Sequence, residues 1–434
     1  MKNILLISTG DSGGAYEAMY KLSQILIASG QYVKMLVKHK TKDDSFIVPY
    51  RYPENVWHSL DRVFNKIGKH LNFKHDKFST AATDPKYSFI SLNESEVNLD
   101  CVEVLKQIEF EPDFIFTGMT NNFCNSTDYY NLVRATGAQL YNVTVDMNHF
   151  TGGCHFAWDC MGYITGCDTQ CPAIIDKQFA DQAQKNFEVK FKNAKAGNFK
   201  ILSGSGHTLN QARLSKIYKN QSEIENINSL IDTELLNPKN REHSKFIFDF
   251  DPDKFYILTG AQNMNDPRKG FCYLLESLQI LSQTLPFEIK ERIVIVVVAK
   301  KKTSDFDKID FEKVYLDYIK DYRLLAQLYK SVDLFVNTSV EDSGPMMVSE
   351  ALACGTPVVG FDTGILINMI ENGNNGYKVE VKDSDGLAQA IKTIVSLSEA
   401  EYQRMSQNAV LQVQRYSSFD YASFVLEKIL KGKN

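Results

Sequence analysis

Twice along the chain, short apolar runs alternate with amphipathic stretches, and each series opens on a glycine-bearing turn. The first series starts with "NILLIS", continues through the turn "TGDSGGA", and enters "AYEAMYKLSQILIASG". In that stretch Met19, Leu22, Ile25 and Leu26 recur at helical spacing, and Gly30 closes it before "YVKMLV". A continuous apolar run of strand length, a helix, and a second such run predict a βαβ unit with a parallel sheet and a right-handed crossover. Further strands are predicted at "FIFTG" (114–118), "LYNVTV" (140–145) and "KILSGS" (200–205). The second series begins near Phe255 with "FYILTGA", then a helix, "RIVIVVVA", another helix, "DLFVNT" and "PVVGF". The fold class expected is α/β, with two doubly wound Rossmann-like domains facing across a cleft. Ligands of such sheets bind beyond the C-terminal strand ends.

At 434 residues the chain exceeds one ordinary core. Residues 237–253, rich in Pro, Asn, Asp, Lys and Arg, separate the two series. The predicted division is 1–240, 241–415 and a closing helix in 416–434 that packs on either domain. A formal charge of −5 argues against nucleic acid as a partner. The longest apolar run, "IVIVVVA", is far shorter than the ~20 residues of a membrane helix. The opening residues lack a small-residue cleavage site, so the expected location is cytoplasmic.

The stretch 338–364, "TSVEDSGPMMVSEALACGTPVVGFDTG", sets Glu341, Asp342 and Glu350 around a predicted helix start. Pro345 suits the first turn, where a missing N–H is no loss. A helix N-terminus favours phosphate, and carboxylates accept bonds from vicinal hydroxyls. Gly344, Pro345 and Met346 would therefore border a sugar nucleotide held by the acids. Solvated or capping carboxylates are the plainer reading of such residues.

These words resemble the donor-site motif of the family-four retaining glycosyltransferases, which have the GT-B fold. In that family two acids stand eight positions apart, ahead of "EAxAxGxPVV"; here "EALACGTPVV" runs from Glu350. Asp342 stands eight positions before it, where the family has Glu, and Glu341 is the neighbouring alternative. The resemblance implies that Glu350 holds the donor ribose and Asp342 contacts the donor sugar. It extends to "LTGAQNMNDPRKGF", where Lys269 matches the lysine that stabilises the leaving diphosphate. The family's arginine position is Ala261, so either Arg268 as a substitute cation or a neutral contribution from Gln262 is expected. Gly13 and Gly14 match the glycine loop beneath the diphosphate; a plain tight turn is the other reading.

The segment 146–172 carries four cysteines spaced C-x5-C-x6-C-x3-C. It resembles an insertion found in a subset of these transferases that build bacterial surface polysaccharides. Cys154, Cys160, Cys167 and Cys171 could hold a structural zinc, with His155 as an alternate ligand; disulfides and free thiols are the other readings. Ahead of this insertion many members carry a His-Asp pair. Here the pair reads Val145-Asp146, and His149 is the histidine expected near the reacting centre.

The implied activity moves a hexosyl unit from a nucleoside diphosphate sugar to a hydroxyl of a glycan or lipid-linked acceptor, in capsule, O-antigen or exopolysaccharide synthesis. No metal is required for that chemistry. Residues 60–77 place Leu60, Val63, Phe64, Ile67 and Leu71 on one helical face among basic residues. That pattern suits peripheral contact with the inner face of the cytoplasmic membrane, or an ordinary packed helix. Two other classes compete: a non-catalytic sugar-nucleotide-binding partner in polysaccharide assembly, and a sugar-nucleotide epimerase.

Overall fold

A computed structural model describes residues 1–53, 78–91, 93–221, 223–301 and 304–432. The predicted helical face within 60–77 lies outside these residues. The chain divides into two compact units, Met1–Leu202 with Gln211–Ile224, and Ser203–Asn210 with Glu225–Asn434. The division thus falls earlier than the 237–253 stretch expected from composition. That stretch instead contains a helix, Arg241–Ile247, tied down by an Arg241 hydrogen bond to Asp333 at 2.7 Å. Its polar residues serve an ion pair, not a spacer.

The first sheet runs β3-β2-β1-β4-β5-β6-β7. Its strands are β1 (Asn3–Gly10), β2 (Tyr32–His39), β3 (Ile47–Pro49), β4 (Phe114–Thr117), β5 (Gln139–Thr144), β6 (Lys200–Ser203) and β7 (Ile224–Asn226). β1 pairs in parallel with both β2 and β4, so Leu5 stands between Lys34 and Ile115. Ile4, Leu5, Leu6 and Ile7 are fully buried, as expected for a strand covered on both faces. The predicted helix forms over Ala15–Ala28 and buries Met19, Leu22, Ile25 and Leu26.

In the second unit the order is β10-β9-β8-β11-β12-β13. The strands are β8 (Phe255–Asn263), β9 (Ile293–Lys301), β10 (Glu312–Asp317), β11 (Leu334–Asn337), β12 (Val358–Phe361) and β13 (Gly376–Val379). All recorded pairings are parallel. One apolar cluster joins β8, β9 and β11 to the helices Tyr322–Ser331 and Met346–Ala353. The closing helix, Phe419–Lys431, belongs to this unit and bonds through Tyr421 to the Asn226 carbonyl at 3.2 Å.

Each sheet reverses its direction of growth once, between β1 and β4 and between β8 and β11. The loops leaving those strands splay apart at the reversal and leave room for a ligand. In the second unit they are the loop after β8, which carries Lys269, and the loop after β11, which carries Asp342.

Candidate functional site

In the second unit the two loops are stitched together by backbone. Pro267–Lys269 forms a single tight turn capped by Asp266, whose Oδ1 accepts the Arg268 N–H at 3.0 Å. The Arg268 carbonyl accepts the Val340 N–H at 2.8 Å, and Thr338 Oγ1 donates to the Lys269 carbonyl at 2.9 Å. Gly270 is what allows this approach. Its φ is +59°, and a Cβ there would stand 2.1 Å from the Thr338 carbonyl oxygen.

This stitching delivers Lys269 to Asp342, with Nζ 2.5 Å from Oδ2. Asp342 also accepts the Gly344 N–H at 3.2 Å and a 3.3 Å bond from Ser339 Oγ. Burial pushes the Asp342 carboxyl up, but the Lys269 ammonium and its hydrogen bond outweigh burial and hold it below its usual value. Lys269 is a quarter exposed and spends one of three N–H donors on this pair. Arg268 is committed differently, pairing with Asp266 at 2.6 Å. Ala261 lies buried inside β8 opposite Ala299 and brings no charge to the loop.

The helix Met346–Ala353 starts immediately after Pro345, and no side chain caps its first turn. Its N-terminal N–H groups therefore join Lys269 as sources of positive potential. Glu350 lies further along this helix, 4% exposed. Both its oxygens already accept tyrosine hydroxyls, from Tyr322 and Tyr329, each at 2.9 Å. The acid expected to hold ribose thus also anchors the helix to Tyr322–Ser331, and each oxygen keeps a second acceptor position. Glu341 is half-buried, and its N–H reaches the Arg268 carbonyl at 3.5 Å. Asp342, not Glu341, meets the lysine.

Sequence reasoning missed Ser205 and His207. Both belong to this unit, although they precede the main division. Ser205 Oγ donates to the Ser343 carbonyl beside Asp342. His207 is held below its usual value by burial, against the opposing pull of Asp342. The only signal was the Ser-Gly-Ser-Gly-His run after β6.

In the first unit, Gly13 and Gly14 follow β1 with φ of +84° and +49°. Among the described residues nothing stands within 4 Å of either missing side chain, so the turn is open as well as left-handed. Asp146 follows β5, and its Oδ2 lies 2.7 Å from Nδ1 of His155. Burial raises the Asp146 carboxyl, yet the His155 ring, the Asn148 N–H and His149 together outweigh it and hold the group below its usual value. Nδ1–H therefore donates to the carboxylate. The His155 ring is 2% exposed, and among the described residues its Nε2 has no hydrogen-bond partner. Tyr16, just after the glycine loop, feels the Asp146 charge.

His149 takes a different place. It lines a cavity of about 260 Å³ with Glu94, Asn98, Lys190 and Tyr218. Burial pushes its imidazole down to about 4, against the pull of Asp146. The histidine bonded to the strand-end aspartate is thus His155, nine residues on, because the intervening Gly152 and Gly153 turn the chain back. The four clustered cysteines are free thiols. No helix among the described residues is long and apolar enough to cross a membrane.

Comparison with known proteins follows this division. Residues 255–396 match the family described as "Glycosyl transferases group 1". Over 71 residues the chain is 37% identical to N-acetyl-alpha-D-glucosaminyl L-malate synthase of Bacillus anthracis, covering 16% of this chain and 19% of that protein. The chain therefore matches less than a fifth of that relative's length. Two solved structures match nearly the whole fold. Sucrose-phosphate synthase of Thermosynechococcus elongatus superposes with a TM-score of 0.64 at 15% identity, covering 100% of this chain and 99% of that one. Anabaena HepE in complex with UDP and glucose gives 0.60 at 16% identity, covering 99% of each chain. At such identities the likeness is one of fold, and that fold is GT-B.

Proposed function

We propose that this protein is a retaining glycosyltransferase that moves a hexosyl unit from a nucleoside diphosphate sugar to an acceptor hydroxyl. The observation that carries this reading is the Lys269–Asp342 pair beside an uncapped helix start, inside the stretch that matches group 1 glycosyl transferases. In the reaction the bond between the anomeric carbon and the β-phosphate oxygen breaks, and negative charge gathers on the diphosphate. Lys269 and the N–H groups of the Met346–Ala353 helix would stabilise that charge, a preorganised term that usually dominates catalysis. Asp342 positions the lysine and accepts a donor-sugar hydroxyl, while Glu350 takes the ribose. The acceptor oxygen attacks from the face the diphosphate leaves, and its proton passes to the departing phosphate oxygen. Within the first unit, the open turn at Gly13 and Gly14 has the backbone freedom that close approach of a phosphate needs. The His155–Asp146 pair presents a buried, unpartnered Nε2 to a sugar hydroxyl.

The relative from Bacillus anthracis, named N-acetyl-alpha-D-glucosaminyl L-malate synthase, and HepE, solved with UDP and glucose, support a UDP-hexose-type donor. The acceptor in this reading is a glycan or lipid-linked saccharide of capsule, O-antigen or exopolysaccharide synthesis, met at the cytoplasmic face of the membrane. The uncharged Ala261 favours one second reading, a non-catalytic partner that binds a sugar nucleotide without turnover.

Purified protein would be incubated with UDP-, GDP- and ADP-sugars and membrane extract, and nucleoside diphosphate release followed. Acceptor-dependent release from one donor, lost in Asp342→Ala and Lys269→Ala, is the expected result. Binding without release across all donors, with acceptor demonstrably present, would establish the non-catalytic reading. Absence of any nucleotide binding would overturn both.

A further inference from the structure

The segment that follows β5 has little to hold it together. From 146 to 181 its regular structure is one four-residue helix, Gly162–Thr165, and the single turns Asn148–Phe150 and Lys177–Phe179. Besides Met147, Phe150 and Ala157, its buried apolar side chains fall in one small cluster of Phe89, Cys154, Ala173 and Ala183, with Cys167, Cys171 and a few neighbours at the rim. A long irregular stretch with so small a core ordinarily needs a covalent or metal staple. A disulfide does not supply it, since every cysteine here is a free thiol.

The four sulfurs nevertheless converge. Cys154, Cys167 and Cys171 pack in the same small cluster. Cys160 and Cys167 flank Gly162, each sulfur 3.4 Å from where a Cβ on that glycine would stand. Two of the sulfurs also accept backbone N–H groups. Gly162 donates to Cys160 at 3.4 Å and Gly152 donates to Cys167 at 3.3 Å. A neutral thiol is a weak acceptor and gains little from such donors, whereas a thiolate gains much. Among the described residues no three His, Cys, Asp or Glu side chains form a ready-made ligand shell. Closure on an ion therefore requires the thiols to rotate inward as they lose their protons.

We propose that Cys154, Cys160, Cys167 and Cys171 bind one soft divalent ion of the zinc class as a tetrahedral thiolate site. Four S–H protons leave to solvent as four metal–sulfur bonds form, with no change of oxidation state. Thiolate ligands select such an ion, and a four-coordinate shell leaves no open position for catalysis. The ion's role is to staple the 151–174 stretch and with it His155, the neighbour of Cys154. This inference is independent of the transferase reading.

The test uses the full chain, purified under reducing conditions without chelator. Elemental analysis should find about one zinc per chain. Cys154→Ser and Cys171→Ser should each lower it severalfold, while Cys272→Ser, at an exposed position elsewhere, should leave it unchanged. Should the serine variants fail to fold, the wild-type chain still decides. Cobalt added after zinc removal should give the charge-transfer absorption of tetrahedral cobalt thiolate. Four alkylatable thiols with no bound metal after zinc incubation would overturn the proposal. So would an intact mass showing disulfides, or a full zinc complement in the Cys154→Ser variant.

Discussion

Replacing Lys269 by Met keeps an unbranched side chain of similar length and removes the charge. Asp342 is then left 13% exposed without its cation, while the lysine it lost was 26% exposed. Breaking a buried pair destabilises by roughly 3–5 kcal/mol and an exposed pair contributes ~0–1 kcal/mol. This partly buried pair falls between them, at about 2 kcal/mol, or roughly 30-fold in an opening equilibrium. The reverse change, Asp342→Asn, should be milder, because the lysine can turn to solvent. Joining both substitutions removes the orphaned charge and should restore most of the protection. Hydrogen exchange on peptides from β11 and the Met346–Ala353 helix reads this directly. Exchange should be about 30-fold faster in Lys269→Met and near wild type in the double variant. Diphosphate release should be lost in both. A double variant as labile as the single one would refute the orphaned-charge argument. Wild-type release by Lys269→Met would refute the lysine's role at the leaving group.

Three further outcomes follow from the same geometry. Tyr329→Phe deletes a buried charge-assisted bond to Glu350, which should destabilise the second unit by about 2 kcal/mol, seen as a lowered urea midpoint at unchanged slope. Gly270→Ala forces a Cβ onto the Thr338 carbonyl at a left-handed φ, so nucleotide binding in a titration should weaken at least tenfold, about 1.4 kcal/mol, more than for Ala at the exposed Asn265. His149 stays neutral in the fold because burial lowers it to about 4, whereas the unfolded chain protonates near 6.5. The unfolded state thus binds an extra proton between those values. The stability from this group is complete above about 6.5 and declines as pH falls through the window. His149→Gln should make urea midpoints at pH 7 and pH 4.5 differ less than in wild type.

Much of this was written into local sequence. The apolar runs "NILLIS", "FYILTG" and "IVIVVVA" read as buried parallel strands, because both their faces are apolar and the first two are each followed by an amphipathic helix. The spacing from Asp342 to Glu350 likewise marked the helix that carries the second acid. Pairing information was not local. Nothing in the sequence near Asp146 names His155 as its partner, since the chain must first turn back at Gly152 and Gly153. The assignment of Ser205 and His207 to the second unit, ahead of the main division, rests on contacts made only in the fold, such as the Ser205 bond to the Ser343 carbonyl, as does the tie between Arg241 and Asp333 that makes a polar stretch structural. The tyrosines on Glu350 come from a different helix at no fixed sequence distance. Periodicity is a property of neighbours along the chain and fixes which face of an element is buried. Which charges meet across two loops is settled only when parallel strands from distant parts of the sequence lie side by side and bring their C-terminal ends together.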